Sequence, residues 1–373
     1  MAEQDKMELT TDAAAKIEGA QRQAVTEFLN PEQPLANVVG VGSGIKWTDG
    51  EPTGEPAVVV LVSHKIGKEE LIKDELVPAK VGTVKTDVLE VGFPTAQQFL
   101  RPTAPHRPAI EGNGAPMPTL EEEEYTAFAE ALMLARRARP AEGGYSVGHY
   151  GITAGTIGTC AYDILPGGST NPPAHGVGSP PQTYILSNNH VLANTNAAQP
   201  GDPILQPGPY DGGTDPADRI ATLTRFVPIT LEPPTPRNLH RNVVDAAIAQ
   251  GQFHDLDREI YWIGYVRGWR RKANVAVGSI VQKTGRTTSY TTGRITAINA
   301  TIDVGYGGGR VARFLDQIVT TNISAGGDSG SLVLSLDNVA VGLLFAGSSV
   351  ATIVNQIENV RSFLRVEVAQ KIL

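Results

Sequence analysis

Short apolar runs broken by Gly, Pro, Asn and Asp dominate the chain from about residue 144 to 344. AGTIGTCAYD, TYILSNNHVL, DRIATLTRFV, NVVDAAIAQ, VGSIVQKTG, SYTTGRITAINATIDV, DQIVTTNI, GSLVLS and AVGLLFAG are the clearest. Runs of this length at this spacing predict an all-β barrel or sandwich joined by tight turns. Nearer the N-terminus the period changes. Ile17, Ala20, Ala24, Val25, Phe28 and Leu29 recur at helical spacing and predict an amphipathic helix from Asp12 to about Leu29, with Asp12 as N-cap and Pro31 beyond its end. LANVVGVGSGIKW and AVVVLVSHK read as strands around the turn TDGEPTGEP, GKEELIKDELV as a short helix and TVKTDVLEVGF as a further strand. Residues 1–93 are therefore expected to form a helix plus a small α+β module.

Residues 94–118 carry repeated prolines and read as a linker. A helix is expected over about 119–138, where Thr119 and Glu122 make a capping box. Glu121–Glu124 lie at its positive end and Arg136, Arg137 and Arg139 at its negative end. Linker and helix take residues 94–143, and the β-rich domain takes 144–373, closing with a helix over VNQIENVRSFLRVEVA.

Composition sharpens this picture in three respects. With 40 Gly, 26 Pro and 6% aromatics in 373 residues, short strands and turns are favoured over a helical bundle. A net charge of −8 argues against broad attraction to nucleic acid or to an anionic membrane, and no window approaches a membrane span. The single cysteine, Cys160, excludes an internal disulfide, and the N-terminus shows no signal-peptide pattern, so a soluble cytoplasmic protein is expected. Cys160 itself, among strand residues, reads as a small core side chain.

Three local patterns carry chemistry. Ser329 lies in Ala325-Gly-Gly-Asp-Ser-Gly-Ser-Leu332, where flanking glycines permit a tightly folded backbone with N–H groups converging near the hydroxyl; those of Gly327 and Ser329 are the candidate oxyanion donors. Taken alone, the string also suits a Gly-rich hairpin. His190 follows the apolar run of Tyr184–Leu186 across the Ser187-Asn188-Asn189 turn, and a histidine there also suits a structural role. Asp245 sits in the apolar run NVVDAAIA; a buried carboxylate needs a partner, which His190 or backbone amides could supply. His149 is the one other histidine kept as an alternative. The carboxylates of the 201–218 loop (Asp202, Asp211, Asp215 and Asp218) lack EF-hand spacing and read as surface-turn residues, so no metal or cofactor is expected.

A nucleophilic serine needs a base to take its proton and a carboxylate to orient that base, and here the three residue types occur in the order His, Asp, Ser. In that order, with these surroundings, the stretch from about Gly155 to Gly347 resembles the trypsin-like, chymotrypsin-fold serine peptidases. SVGHYGITAGTIG, LSNNHVLAN, GDPILQPGPYDGG and the N-terminal NVVGVGSGIKW resemble most the intracellular bacterial trypsin-like proteins and the plant narrow-leaf type proteases. The resemblance implies a mainly β fold with two six-stranded antiparallel barrels and a His190, Asp245, Ser329 triad between them, acting on protein or peptide substrates. It further implies Ile323 at the base of the pocket for the residue before the scissile bond, and Phe345, Ala346 and Gly347 along its side. A small or apolar residue is then expected in that pocket. Homo-oligomers are compatible with the plant group. Two departures stand out: the loop reads Gly-Asp-Ser-Gly-Ser, and no Ile-Val-Gly-Gly activation terminus is recognisable, so Asp328 needs another partner. The competing expectations are a protease with one dedicated target, one that cuts its own linker, and a gated or catalytically silent scaffold that binds proteins.

Overall fold

The computed structural model describes residues 9, 11–33, 35, 37–48, 51–72, 75–96 and 133–368. The Pro-rich stretch and the helix expected over 119–138 therefore lie outside the described residues, apart from 94–96 and 133–138.

The N-terminal helix, α1, spans Thr11–Phe28. It packs Ala24 and Phe28 onto Val41, Val58, Val60 and Val62, which lie on β1 (Val38–Thr48) and β2 (Glu51–Val62). These strands continue into β3 (Lys80–Val81) and β4 (Val84–Glu90), in the order β1-β2-β4-β3. The glycine rhythm of VVGVGSG has a packing cause. A Cβ on Gly40 would stand 2.7 Å from the Thr301 carbonyl, so the bare backbone is what lets β1 lie against its neighbour. Of the run GKEELIKDELV, where a helix is expected, the described residues form no α-helix: Lys68–Glu70 make a turn and Glu75 is in 3-10 conformation. Ile72 stays 65% exposed, and a helix this short is marginal without an apolar face to bury.

The first barrel is built from β5 (Ser146–His149), β6 (Thr159–Asp163), β7 (Thr183–Ser187), β8 (Pro203–Leu205), β9 (Arg219–Phe226) and β10 (Ala247–Gly251). They pair in the order β6-β7-β10-β9-β8-β5. Gly144 N–H to the Ile157 carbonyl (2.8 Å) and Ile157 N–H to the Tyr145 carbonyl (2.9 Å) carry the ladder from the start of β5 back toward β6.

The second barrel uses β11 (Ile280–Gly285), β12 (Ser289–Gly305), β13 (Val311–Thr321), β14 (Leu332–Ser335), β15 (Val339–Gly347) and β16 (Ala351–Gln356). The order β11-β14-β15-β16-β13-β12 closes because β11 also pairs with β12. At 17 residues β12 is far longer than an ordinary strand. Its first half completes the barrel, and its second half pairs with β1 through Gly40↔Ile302 and Val41↔Thr301. The N-terminal strands thus extend the sheet of the second barrel. The closing helix, α3, is confined to Ile357–Leu364. Val354, Asn355 and Gln356 belong to β16, whose ladder with β13 and β15 outweighs the helical spacing of their apolar neighbours. A shared apolar cluster (Leu186, Val244, Ile248, Leu332, Leu343, Val360) joins the barrels.

Candidate active site

His190 lies on α2 (Asn189–Leu192), a single turn entered directly from β7. The asparagine pair fixes that turn. Asn188 Nδ2 donates to the Asp245 carbonyl (2.8 Å) and Asn189 Nδ2 to the Val227 carbonyl (2.7 Å). Asp245 is fully buried just ahead of β10. Its Oδ2 lies 2.6 Å from His190 Nδ1, and its Oδ1 accepts the His190 N–H at 3.2 Å. A carboxylate only accepts, so Nδ1 is the donor in this contact, and in the neutral ring Nε2 is then the nitrogen with the lone pair. Nε2 is buried and, among the described residues, makes no hydrogen bond.

Tyr306 is a third member of this contact. It stands just past β12, and its hydroxyl donates to the same Asp245 Oδ2 at 2.7 Å. Its ring meets the His190 ring edge-on at 6.2 Å between centroids. Full burial, reinforced by the adjacent Asp245 charge, pushes the Tyr306 hydroxyl well above the ordinary tyrosine range, so it stays a donor. The Asp245 N–H donates to Asn355 Oδ1 (3.0 Å), and Asn355 Nδ2 donates to Gln317 Oε1 (2.7 Å). Both barrels therefore hold the carboxylate.

Ser329 is 3% exposed in the loop ahead of β14. The chain around it meets the His190 turn at Gly155, where a Cβ would stand 2.9 Å from the Ser329 carbonyl and would also strike Val191. Among the described residues, no hydrogen bond uses the N–H of Gly327 or of Ser329. Thr287 Oγ1 donates to the Gly326 carbonyl at 2.6 Å. Across a trans peptide the N–H points opposite to the C=O, so this bond turns the Gly327 N–H away from Thr287. Thr156 Oγ1 holds the Gly327 carbonyl at 2.8 Å. Gly327 has φ +96°, a conformation that favours glycine.

The partner of Asp328 is Lys283, on β11. Nζ lies 3.3 Å from Asp328 Oδ2, and both side chains are fully buried. Nζ also bonds the Thr288 hydroxyl and the Ser289 carbonyl. Asp328 accepts the N–H groups of Thr287 (2.8 Å), Thr288 (3.2 Å) and Ala325 (3.0 Å), and the Thr288 hydroxyl (2.6 Å). Burial pulls the Lys283 ammonium below the usual lysine range, and Asp328 opposes that shift. Lys283 thus anchors the Ser329 loop from inside the protein.

Of the four residues expected along the substrate pocket, Ile323 is 3% exposed and packs in an apolar cluster with Ile295, Val333 and Leu344. Phe345 is fully buried against Phe314, 4.7 Å between ring centroids. Ala346 joins the same cluster. Gly347 exchanges both main-chain hydrogen bonds with Thr95. His149 lies apart from this constellation in its bonding: it pairs with Asp202 at 3.1 Å. Asp211 pairs with Arg286, and Asp215 with Arg219. Among the described residues no group of three potential ligands could hold a metal. Cys160 is buried, donates to the Asp257 carbonyl at 3.0 Å, and has its thiol pushed up to about 12 by burial.

Tyr306, Lys283 and Thr287 were not singled out by sequence reasoning. Lys283 left one signal, a lysine inside a strand run, IVQKTG, whose pattern offered no solvated face. Tyr306 and Thr287 left none in their local sequence, since their partners lie far away along the chain.

The chain resembles several solved structures. Thermobifida fusca Protease A is 17% identical with a TM-score of 0.41, over 62% of this chain and 98% of its own. Nocardiopsis Protease is 20% identical with a TM-score of 0.41, over 61% and 98%. The Cellulomonas bogoriensis chymotrypsin is 19% identical with a TM-score of 0.39, over 61% and 96%. No model of a protein family and no curated protein matches the sequence.

Proposed function

We propose that this chain is a trypsin-like serine protease. The observation that carries the reading is the buried His190–Asp245 pair, beside a serine loop, with Nε2 and the loop's two N–H groups unspent among the described residues. In this mechanism Ser329 Oγ attacks the scissile carbonyl while His190 Nε2 takes its proton. Asp245, held by Tyr306, steadies the imidazolium. The Gly327 and Ser329 N–H groups receive the oxyanion, a contribution of about 3–4 kcal/mol per donor. His190 then returns the proton to the leaving amine, and water hydrolyses the acyl-enzyme by the reverse sequence. The reading includes an apolar pocket around Ile323, a small or apolar residue before the scissile bond, and protein targets inside the cell. The single cysteine supports that compartment, and the likeness to intracellular bacterial and plant narrow-leaf type members remains its family frame.

Labelling with a fluorophosphonate probe tests the proposal. Wild type is expected to react, and Ser329→Ala and His190→Ala to lose the reaction. A folded wild type that stays unlabelled would favour a silent scaffold, the reading to which Thr95 on Gly347 lends support.

A further inference from the structure

Past Leu344 the two edges of β15 differ. On one side β16 continues to pair with it, through Gly347↔Thr352. On the other, β14 ends. Gly330 N–H donates to the Leu344 carbonyl (2.9 Å), Leu344 N–H donates to Ser331 (3.0 Å), and the opposing chain then turns into the Ser329 loop. The edge from Leu344 to Gly347 therefore starts beside the nucleophile and runs outward for roughly 10 Å, three residues of extended chain. An open strand edge next to a nucleophile is where an extended peptide would add its main chain.

That edge is occupied by the protein itself. Thr95 N–H donates to the Gly347 carbonyl at 3.0 Å, and Gly347 N–H donates to the Thr95 carbonyl at 3.1 Å. The bridge is antiparallel, so the direction from Thr95 to Ala96 leads back along β15 toward Leu344. The segment is tied on its other side too. Gly305 N–H donates to the Pro94 carbonyl and Ala96 N–H to the Gly305 carbonyl, each at 2.9 Å. Ser348 Oγ donates to the Val91 carbonyl at 2.6 Å. Pro94 and Ala96 are buried. A segment held by five hydrogen bonds and two buried side chains is a fixed part of the cleft wall.

We infer that Thr95 is a specificity-determining residue: it takes the main-chain bonds an extended substrate would make at Gly347. The native enzyme then favours substrates whose portion N-terminal to the scissile bond is short, and it gains nothing from lengthening that portion. This inference rests on Ser329 being the nucleophile.

The test uses the full chain and two thioesters with one leaving group, N-acetyl-alanine and N-acetyl-tetra-alanine. Wild type is expected to show a kcat/KM ratio, long over short, near one. Thr95→Pro removes the N–H that bonds Gly347. Gly92→Val acts differently: Gly92 has φ +67°, and its Cβ would stand 2.7 Å from Ser348 Cβ. Both variants are expected to raise the ratio roughly tenfold, the worth of two main-chain hydrogen bonds. A wild-type ratio already at tenfold, meaning the segment yields readily to substrate, would overturn the inference even if neither variant folds. So would unchanged ratios in folded variants that still take up the fluorophosphonate. Loss of labelling in wild type and variants alike would instead sink the serine-nucleophile reading, and this inference with it.

Discussion

Replacing Lys283 by Met would leave the Asp328 carboxylate buried without its cation. Both side chains are fully buried, and removing one partner of such a pair costs about 3–5 kcal/mol. Four hydrogen bonds to Asp328 survive the change, from Thr287, Thr288 (N–H and hydroxyl) and Ala325. They place the expected loss near the lower end, about 3 kcal/mol. That is a large share of the roughly 5–15 kcal/mol by which domains are stable, yet it leaves the variant folded at room temperature. Urea denaturation measures it directly, and the rate of fluorophosphonate labelling reports whether the Ser329 loop keeps its shape. Labelling should slow along with the loss of stability. The pH dependence has a definite sign. Because the folded Lys283 ammonium titrates below its ordinary 10.5, the unfolded chain holds more protons between those two values, and stability rises with pH in that window. The Met variant lacks this rise, so wild type gains on it as the pH approaches 10.5. A loss under about 1 kcal/mol with unchanged labelling would refute the reasoning, because it would mean the carboxylate needs no cation.

Tyr306→Phe keeps the ring and removes only the hydroxyl bonded to Asp245. It should cost about 1.5–3 kcal/mol in urea unfolding, the range for a hydrogen bond to a charged group, and slow labelling roughly tenfold. The His190 Nδ1 proton should also move downfield in NMR spectra as Asp245 becomes a stronger acceptor; an unmoved resonance with unaltered labelling would count against Tyr306 as a positioning residue. Cys160 should resist iodoacetamide in the native protein at neutral pH and react once unfolded. Its folded thiol titrates at about 12 against an ordinary 9.0, so its contribution is complete below 9.0 and is lost as the pH rises toward 12. Cys160→Ala should flatten that alkaline fall, and an equal fall in both proteins would exclude the thiol as its source.

Local order was legible because it is set by near neighbours. The helical spacing of Ile17 to Phe28, the apolar runs that became barrel strands, and the turn chemistry around His190 and Ser329 all act within a few residues. Where neighbours compete with distant partners, the pattern misleads. Val354 to Gln356 carry helical spacing but complete a ladder with Gln317 and Ile318 and with Gly342 to Leu344, and Ile72 stays exposed while Leu71 is only half-buried.

The sequence alone determined a mainly β protein and the local settings of His190, Asp245 and Ser329. Only the tertiary structure decided what surrounds them. Lys283 meets Asp328 from 45 residues away and Tyr306 meets Asp245 from 61, while Thr95 reaches Gly347 across most of the chain. Such pairs depend on the register of long strands, and bulges in β12 shift that register along its length. One residue of slip turns a strand's side chains to the opposite face. Which polar groups point inward is therefore a property of the closed sheet, and no short stretch of sequence contains it.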